Sequence, residues 1–237
     1  MAMTDSGKGP GILDDPEAVL DESFGKSEEF VKRNKKIITA VIVIVVLAVA
    51  GYFTYNYYTS KDNAEAQAEM FGAVYYFEAD SLSKALKGNG KDLGFEEIAE
   101  TYPRTKAGNL ANFYVGVIYL KQGKFDDAIE SLKKFSSDDL LLQARAYCLI
   151  GDANLEQKDL EGAIDYYKKA ASTFEEDQTS AVEALFLAGY LADKVLNDKT
   201  QAVELYKEIK TKYPNALTQW VSEADKYLAA HGVYDTE

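Results

Sequence analysis

Val115-Gly116-Val117-Ile118-Tyr119-Leu120-Lys121-Gln122-Gly123-Lys124-Phe125-Asp126-Asp127-Ala128-Ile129 and Ile150-Gly151-Asp152-Ala153-Asn154-Leu155-Glu156-Gln157-Lys158-Asp159-Leu160-Glu161-Gly162-Ala163-Ile164 are two copies of one pattern, 35 residues apart. Gly116 aligns with Gly151, and Ala128 with Ala163. A third copy runs from Ala184 to Pro214, with Gly189 and Ala202 in those places. Its Gly-to-Ala spacing is one residue longer, which predicts an insertion in the loop. The spacing reads as a helical hairpin. Gly lets a first helix approach its partner closely, and twelve residues later Ala does the same from the second helix. Asp126 and Asp159 stand where a side chain would cap that second helix. Leu132 and Phe135, then Tyr167, then Tyr206 and Ile209 are the large residues expected in the seams. One hairpin cannot bury its apolar face alone, so neighbours stack into a curved array.

The pattern resembles the tetratricopeptide repeat, whose period is about 34 residues. The likeness covers roughly residues 109 to 214 and is strongest over the first two copies. The repeat's Trp position is Asn112 in one copy and Tyr147 in the next. Pro214 falls at the closing proline, and Pro103 looks like the same punctuation after a degenerate first unit. Within that unit, Ala64 to Asp80 reads as a helix, Lys87 to Lys91 as a turn, and Phe95 to Tyr102 as a shorter helix. The expected fold is all-α: one transmembrane helix, then a tetratricopeptide-repeat-like α-solenoid of hairpins. Its expected parts are a degenerate unit at 64–103, repeats near 109–142, 144–177 and 182–215, and a cap helix at 216–231.

Ahead of the repeats, 24 consecutive residues, Ile37 to Ser60, carry no charge. At 1.5 Å per residue a helix of that length reaches about 36 Å, enough for a hydrocarbon core of roughly 30 Å. Tyr52, Phe53, Tyr55, Tyr57 and Tyr58 form an aromatic belt suited to the headgroup level. Lys32, Arg33, Lys35 and Lys36 immediately precede the run, and such basic flanks stay cytoplasmic. A partly disordered cytoplasmic tail at 1–36, a span at 37–58 and an extracytoplasmic domain at 61–237 are therefore expected. The tail should turn helical from Pro16 onward. Ala48-Val49-Ala50 matches a signal-cleavage pattern. A 36-residue leader and an uncharged run extending past Ala50 favour an uncleaved anchor instead.

The chain has 237 residues and a formal net charge of -13. Residues 61–237 hold 20 basic and 31 acidic side chains, a balance that repels nucleic acid and anionic lipid. With one cysteine, Cys148, no intramolecular disulfide can form, and the fold must rest on packing. Cys148 lies in an apolar helical stretch and reads as a packed or groove-lining thiol. The single histidine, His231, reads as a solvated helix-end residue. One His and one Cys cannot build a typical zinc site, and the acidic pairs fall at helix starts and loops. No catalytic constellation, metal site, cofactor or small-molecule substrate is expected.

Binding is the better class. In tetratricopeptide arrays the first helix of each pair lines the concave face. Matching positions put Leu110, Phe113, Val117, Leu120 and Lys121 on that face from one repeat, and Arg145, Cys148, Asp152, Leu155 and Glu156 from the next. The third contributes Glu183, Phe186, Tyr190 and Asp193. The Lys/Asn-rich carboxylate clamp of cytosolic chaperone adaptors is replaced by Phe113, Val117 and Cys148. An apolar groove with mixed charges suits an extended or helical apolar segment. The alternative is that the domain's own terminal helix fills it.

The whole chain is similar to the YfgM-type family of bacterial inner-membrane proteins, especially its Bacteroidota-like branch. The residues prompting this are Ser27 to Lys36, Ala85 to Gly90, Gly94 to Ala99, Thr105 to Ala111 and Phe135 to Asp139. The resemblance implies an ancillary subunit of the Sec translocon, with its anchor in the inner membrane and its repeats in the periplasm. Its implied partners are the SecY channel complex, a membrane-anchored prolyl isomerase-like chaperone and secreted clients. A scaffold of another envelope complex, and a regulator acting through its cytoplasmic tail, are the competing expectations.

Overall fold

In the computed structural model, residues 31–234 are described, so the partly disordered tail and the helix from Pro16 expected over residues 1–30 lie outside the described residues. The described chain is helical, without strands, and falls into two compact units that divide at Tyr58 and Thr59. Helix α1 spans Lys35–Glu78 and contributes to both. An 18-residue window within it has a mean hydropathy of 2.7, and none of that window is buried. Ile42, Leu47 and Phe53 are 57–65% exposed on different sides of the helix. A helix apolar all round and uncovered by protein is a candidate membrane span.

In the second unit, Ala66, Met70 and Ala73 of α1 pack with Ala85 and Leu86 of α2 (Leu82–Lys87) and with Phe95 and Ile98 of α3 (Phe95–Thr101). The same cluster takes in Ala107, Ala111, Val115 and Ile118 of α4 (Lys106–Lys121). Phe95 stacks on Tyr114 with ring centroids 4.6 Å apart. Asn63 Oδ1 accepts from the Ala107 backbone N–H at 3.0 Å, and Thr105 caps α4 through Gly108. Three hairpins follow: α4 with α5 (Phe125–Lys134), α6 (Leu140–Glu156) with α7 (Leu160–Thr173), and α8 (Gln178–Leu191) with α9 (Lys199–Lys212). Helix α10 (Gln219–Ala230) packs on the last pair.

The hairpin seams follow the glycine spacing. A Cβ on Gly116 would sit 2.5 Å from Leu132 Cγ, and one on Gly151 or Gly189 would sit 2.8 Å from Cε1 of Tyr167 or Tyr206. Ala128, Ala163 and Ala202 are fully buried opposite them. The turn within each hairpin passes through the left-handed region, at Gly123, Lys158 and Asn197.

Two local expectations need correction. Asp159 caps α7, accepting from Gly162 N at 3.1 Å, but Asp126 caps nothing. Helix α5 starts at Phe125, the same register at which α7 starts at Leu160, so its N-cap is Lys124. Asp126 lies two residues further on, in the first turn, and its Oδ1 accepts from Gln157 Nε2 at 2.7 Å. The extra residue of the third repeat is not a loop insertion. It is absorbed as a π-helical turn at Ala192–Leu196, closed by Asn197. Single-turn π insertions are the way a helix accommodates one added residue while its ends stay in place.

That turn leaves Asp193 buried under α10 rather than on the groove. Lys194 Nζ lies 2.8 Å from Asp193 Oδ2, and His231 Nε2 lies 2.9 Å from Oδ1. Burial pushes the Asp193 carboxyl up, but the hydrogen bonds from Lys194 and His231 outweigh it and hold the group below the usual carboxylate range. His231 is therefore not a solvated residue: its side chain is 12% exposed and ties the cap helix to the third repeat.

The seam yields opposite expectations for two neighbouring positions. Gly151→Ala drives a methyl into the Tyr167 ring and lowers stability by about 1–3 kcal/mol. Lys158→Gly relieves a left-handed side chain and raises it by about 0.5–1 kcal/mol. Thermal unfolding of the full-length protein in detergent, followed by circular dichroism, reads both.

Candidate binding groove

The first helices of the second and third repeats, α6 and α8, enclose a cavity of about 230 Å³ floored by α7. Leu141, Ala144, Arg145, Cys148 and Asp152 form one wall, at spacings that keep them on a single face of α6. Asp177, Ser180, Ala181, Glu183, Ala184 and Leu187 form the other. Tyr167, Ala170 and Phe174 make the floor. Tyr167 lays its ring against Gly151, and its hydroxyl donates to Asp152 Oδ1 at 2.7 Å. Burial, and then that hydrogen bond, push the Tyr167 hydroxyl far above its ordinary value, so it stays a donor.

Of the groove residues read from the sequence, the cavity brings together Arg145, Cys148, Asp152 and Glu183. Leu155 packs on the third-repeat core, while Glu156 is exposed beyond the cavity. Leu110, Phe113, Val117 and Leu120 are half-buried against Leu132, Phe135, Leu149 and Ile150, so they serve the joint between the first two repeats. Lys121 is exposed, 3.8 Å from Asp80 and above the Phe77 ring. Phe186 is buried beneath the cap helix, stacked on Trp220 at 4.8 Å and edge-on to Tyr227. Tyr190 stays 41% exposed beside Tyr227. The chain's own C-terminal helix thus covers the third-repeat end of the groove and leaves the cavity between α6 and α8 clear.

The sequence reading missed Leu141, Leu187 and the α7 floor. Leu141 was marked by the run Leu140-Leu141-Leu142: three consecutive leucines cannot share one helix face, and Leu141 remains 50% exposed. Trp220 and Tyr227, seven residues apart on one face of α10, were the sign that the cap would seat on Phe186. A second cavity of about 180 Å³ lies among α3, α4 and α5 and is rimmed by Glu96, Glu100, Asp127 and Glu130. Two of these carboxylates already have partners. Lys87 pairs with Glu96, which the Tyr119 hydroxyl also contacts, and Lys134 pairs with Glu130.

Comparison with known proteins agrees with this geometry. A tetratricopeptide repeat model matches residues 116–181, and a tetratricopeptide repeat-like domain model matches 28–140. A further tetratricopeptide repeat model matches 183–216. No curated protein matches the chain. Among solved structures, the crystal structure of MamA protein is similar, with a TM-score of 0.52 and 20% identity over 71% of this chain and 83% of that one. At that identity the likeness concerns the fold. The hairpins are tetratricopeptide repeats, and the class of protein they define is a protein–protein interaction module.

The Cys148 thiol offers a chemical check on the cavity. Burial pushes it up to about 11, with Asp152 adding to the effect. Alkylation of Cys148 at pH 7.5 should run roughly a hundredfold slower than that of free cysteine, whose thiol titrates near 8.5. Denaturation should restore the ordinary rate.

Proposed function

We propose that this chain is a membrane-anchored, non-enzymatic docking protein whose groove between α6 and α8 receives segments of other proteins. The observation that carries this reading is the cavity itself. Apolar walls and unpaired charges face one another on the helices that tetratricopeptide arrays use for recognition. Membrane anchoring confines partners to two dimensions, so a modest contact suffices for association.

In finer detail, the reading is an ancillary subunit of the Sec translocon in a bacterial inner membrane. Its N-terminus is cytoplasmic and its repeats are periplasmic, where they work with the SecY channel complex and a prolyl isomerase-like chaperone on emerging proteins. Support comes from the whole-chain resemblance to the YfgM-type family and from the basic flank Lys32, Arg33, Lys35 and Lys36 ahead of the candidate span. The repeat-like match starting at residue 28, ahead of that span, fits tail, anchor and first units acting as one inherited block.

Purification of the full-length protein from native membranes in mild detergent, with mass spectrometry, tests this. SecY and a prolyl isomerase-like chaperone should co-purify and be lost when residues 61–237 are removed. Recovery of a different envelope complex, without translocon subunits, contradicts the translocon reading.

A further inference from the structure

The cavity between α6 and α8 is lopsided in charge. Arg145 stands against Asp152, Asp177 and Glu183. Among the described residues, neither Arg145 nor Glu183 forms an ion pair or a hydrogen bond. Asp152 commits one oxygen to Tyr167, and its second has no partner among the described residues. Asp177 caps α8 through one oxygen, accepting from Ser180 N at 3.3 Å. Burial first, and then Asp152, push the Cys148 thiol up, Arg145 opposes them, and Glu183 adds to the rise. Around these carboxylates lie Leu141, Ala144, Ala184 and Leu187, an apolar sleeve that suits a methylene stem.

Resting on the docking reading above, we infer that the cavity seats a lysine or arginine side chain of an apolar partner segment. Glu183 and the free oxygen of Asp152 receive its charge, while Leu141 and Leu187 clasp its stem. The part-buried Asp152 carboxylate attracts a cation more strongly than one on an open surface, because less water screens the pair, while the exposed Glu183 adds a screened contact. Arg145, at the same wall, opposes the incoming charge and limits affinity.

The full-length protein in nanodiscs of zwitterionic lipid provides the test, with empty nanodiscs as reference. The probes are short acetylated, amidated peptides in a Gly/Ser background, with one lysine, glutamine or glutamate between two leucines. Anisotropy reads affinity, and protection of Cys148, the chain's single thiol, from alkylation reads the location. The lysine peptide should bind best and slow alkylation. Glu183→Gln should weaken it up to about fivefold, as an exposed pair does, and Arg145→Gln should strengthen it by a similar factor. Neither exposed, unpaired side chain supports the fold, so opposite shifts report charge alone. Equal binding and equal Cys148 protection by all three peptides overturns the basic-residue assignment and leaves the docking groove standing. Preference for the glutamate peptide reverses the assignment. No binding and no protection by any peptide overturns both.

Discussion

A ring laid on a glycine is the contact on which the rest of this molecule depends. Gly151 admits Tyr167 and Gly189 admits Tyr206 at distances no Cβ tolerates, and Gly116 does the same for Leu132. Each contact draws the two helices of a hairpin together, and the buried Ala128, Ala163 and Ala202 complete the seam. Stacking those hairpins turns first helices toward one face, which is the face that carries the cavity. In the second repeat one residue serves both the hairpin seam and the cavity wall. The Tyr167 ring closes the hairpin on Gly151, and its hydroxyl holds the Asp152 carboxylate at the cavity wall.

The third repeat departs from this pattern, and the departure ends the array. One added residue becomes a π-helical turn, which puts Asp193 beneath the cap helix with Lys194 and His231. Phe186, Trp220, Tyr227 and Tyr206 then form a continuous aromatic packing across that end. Groove positions that would face solvent in an internal repeat are consumed in capping. The open cavity lies one repeat earlier, between α6 and α8.

The repeat and the candidate span were legible in the sequence because both are local. Gly-to-Ala spacing and an uncharged run are read within a few turns of helix. Arg145, Cys148 and Asp152 were legible for the same reason, by position within a repeat. Leu110, Phe113 and Val117 occupy equivalent positions but pack into the joint with the second repeat. That outcome depends on how far one hairpin overlaps the next, which no single repeat encodes. Asp126 and Asp159 are a different case, because the 35-residue register separates them. Lys124 stands opposite Asp159 at the N-cap, and Asp126, two residues further on, sits in the first turn and bonds Gln157. His231 looked like a surface residue because its partner, Asp193, lies 38 positions away and reaches it only through the π turn.

The most direct test of the account is site-specific photocrosslinking in native membranes. A photoreactive residue would replace either Leu141, at the cavity, or Lys168, exposed on α7 outside it. Discrete protein adducts from position 141, absent from position 168, are the predicted result. Adducts from position 168 with none from position 141 would contradict it, because recognition would then run over the outer face of the array and not through the groove.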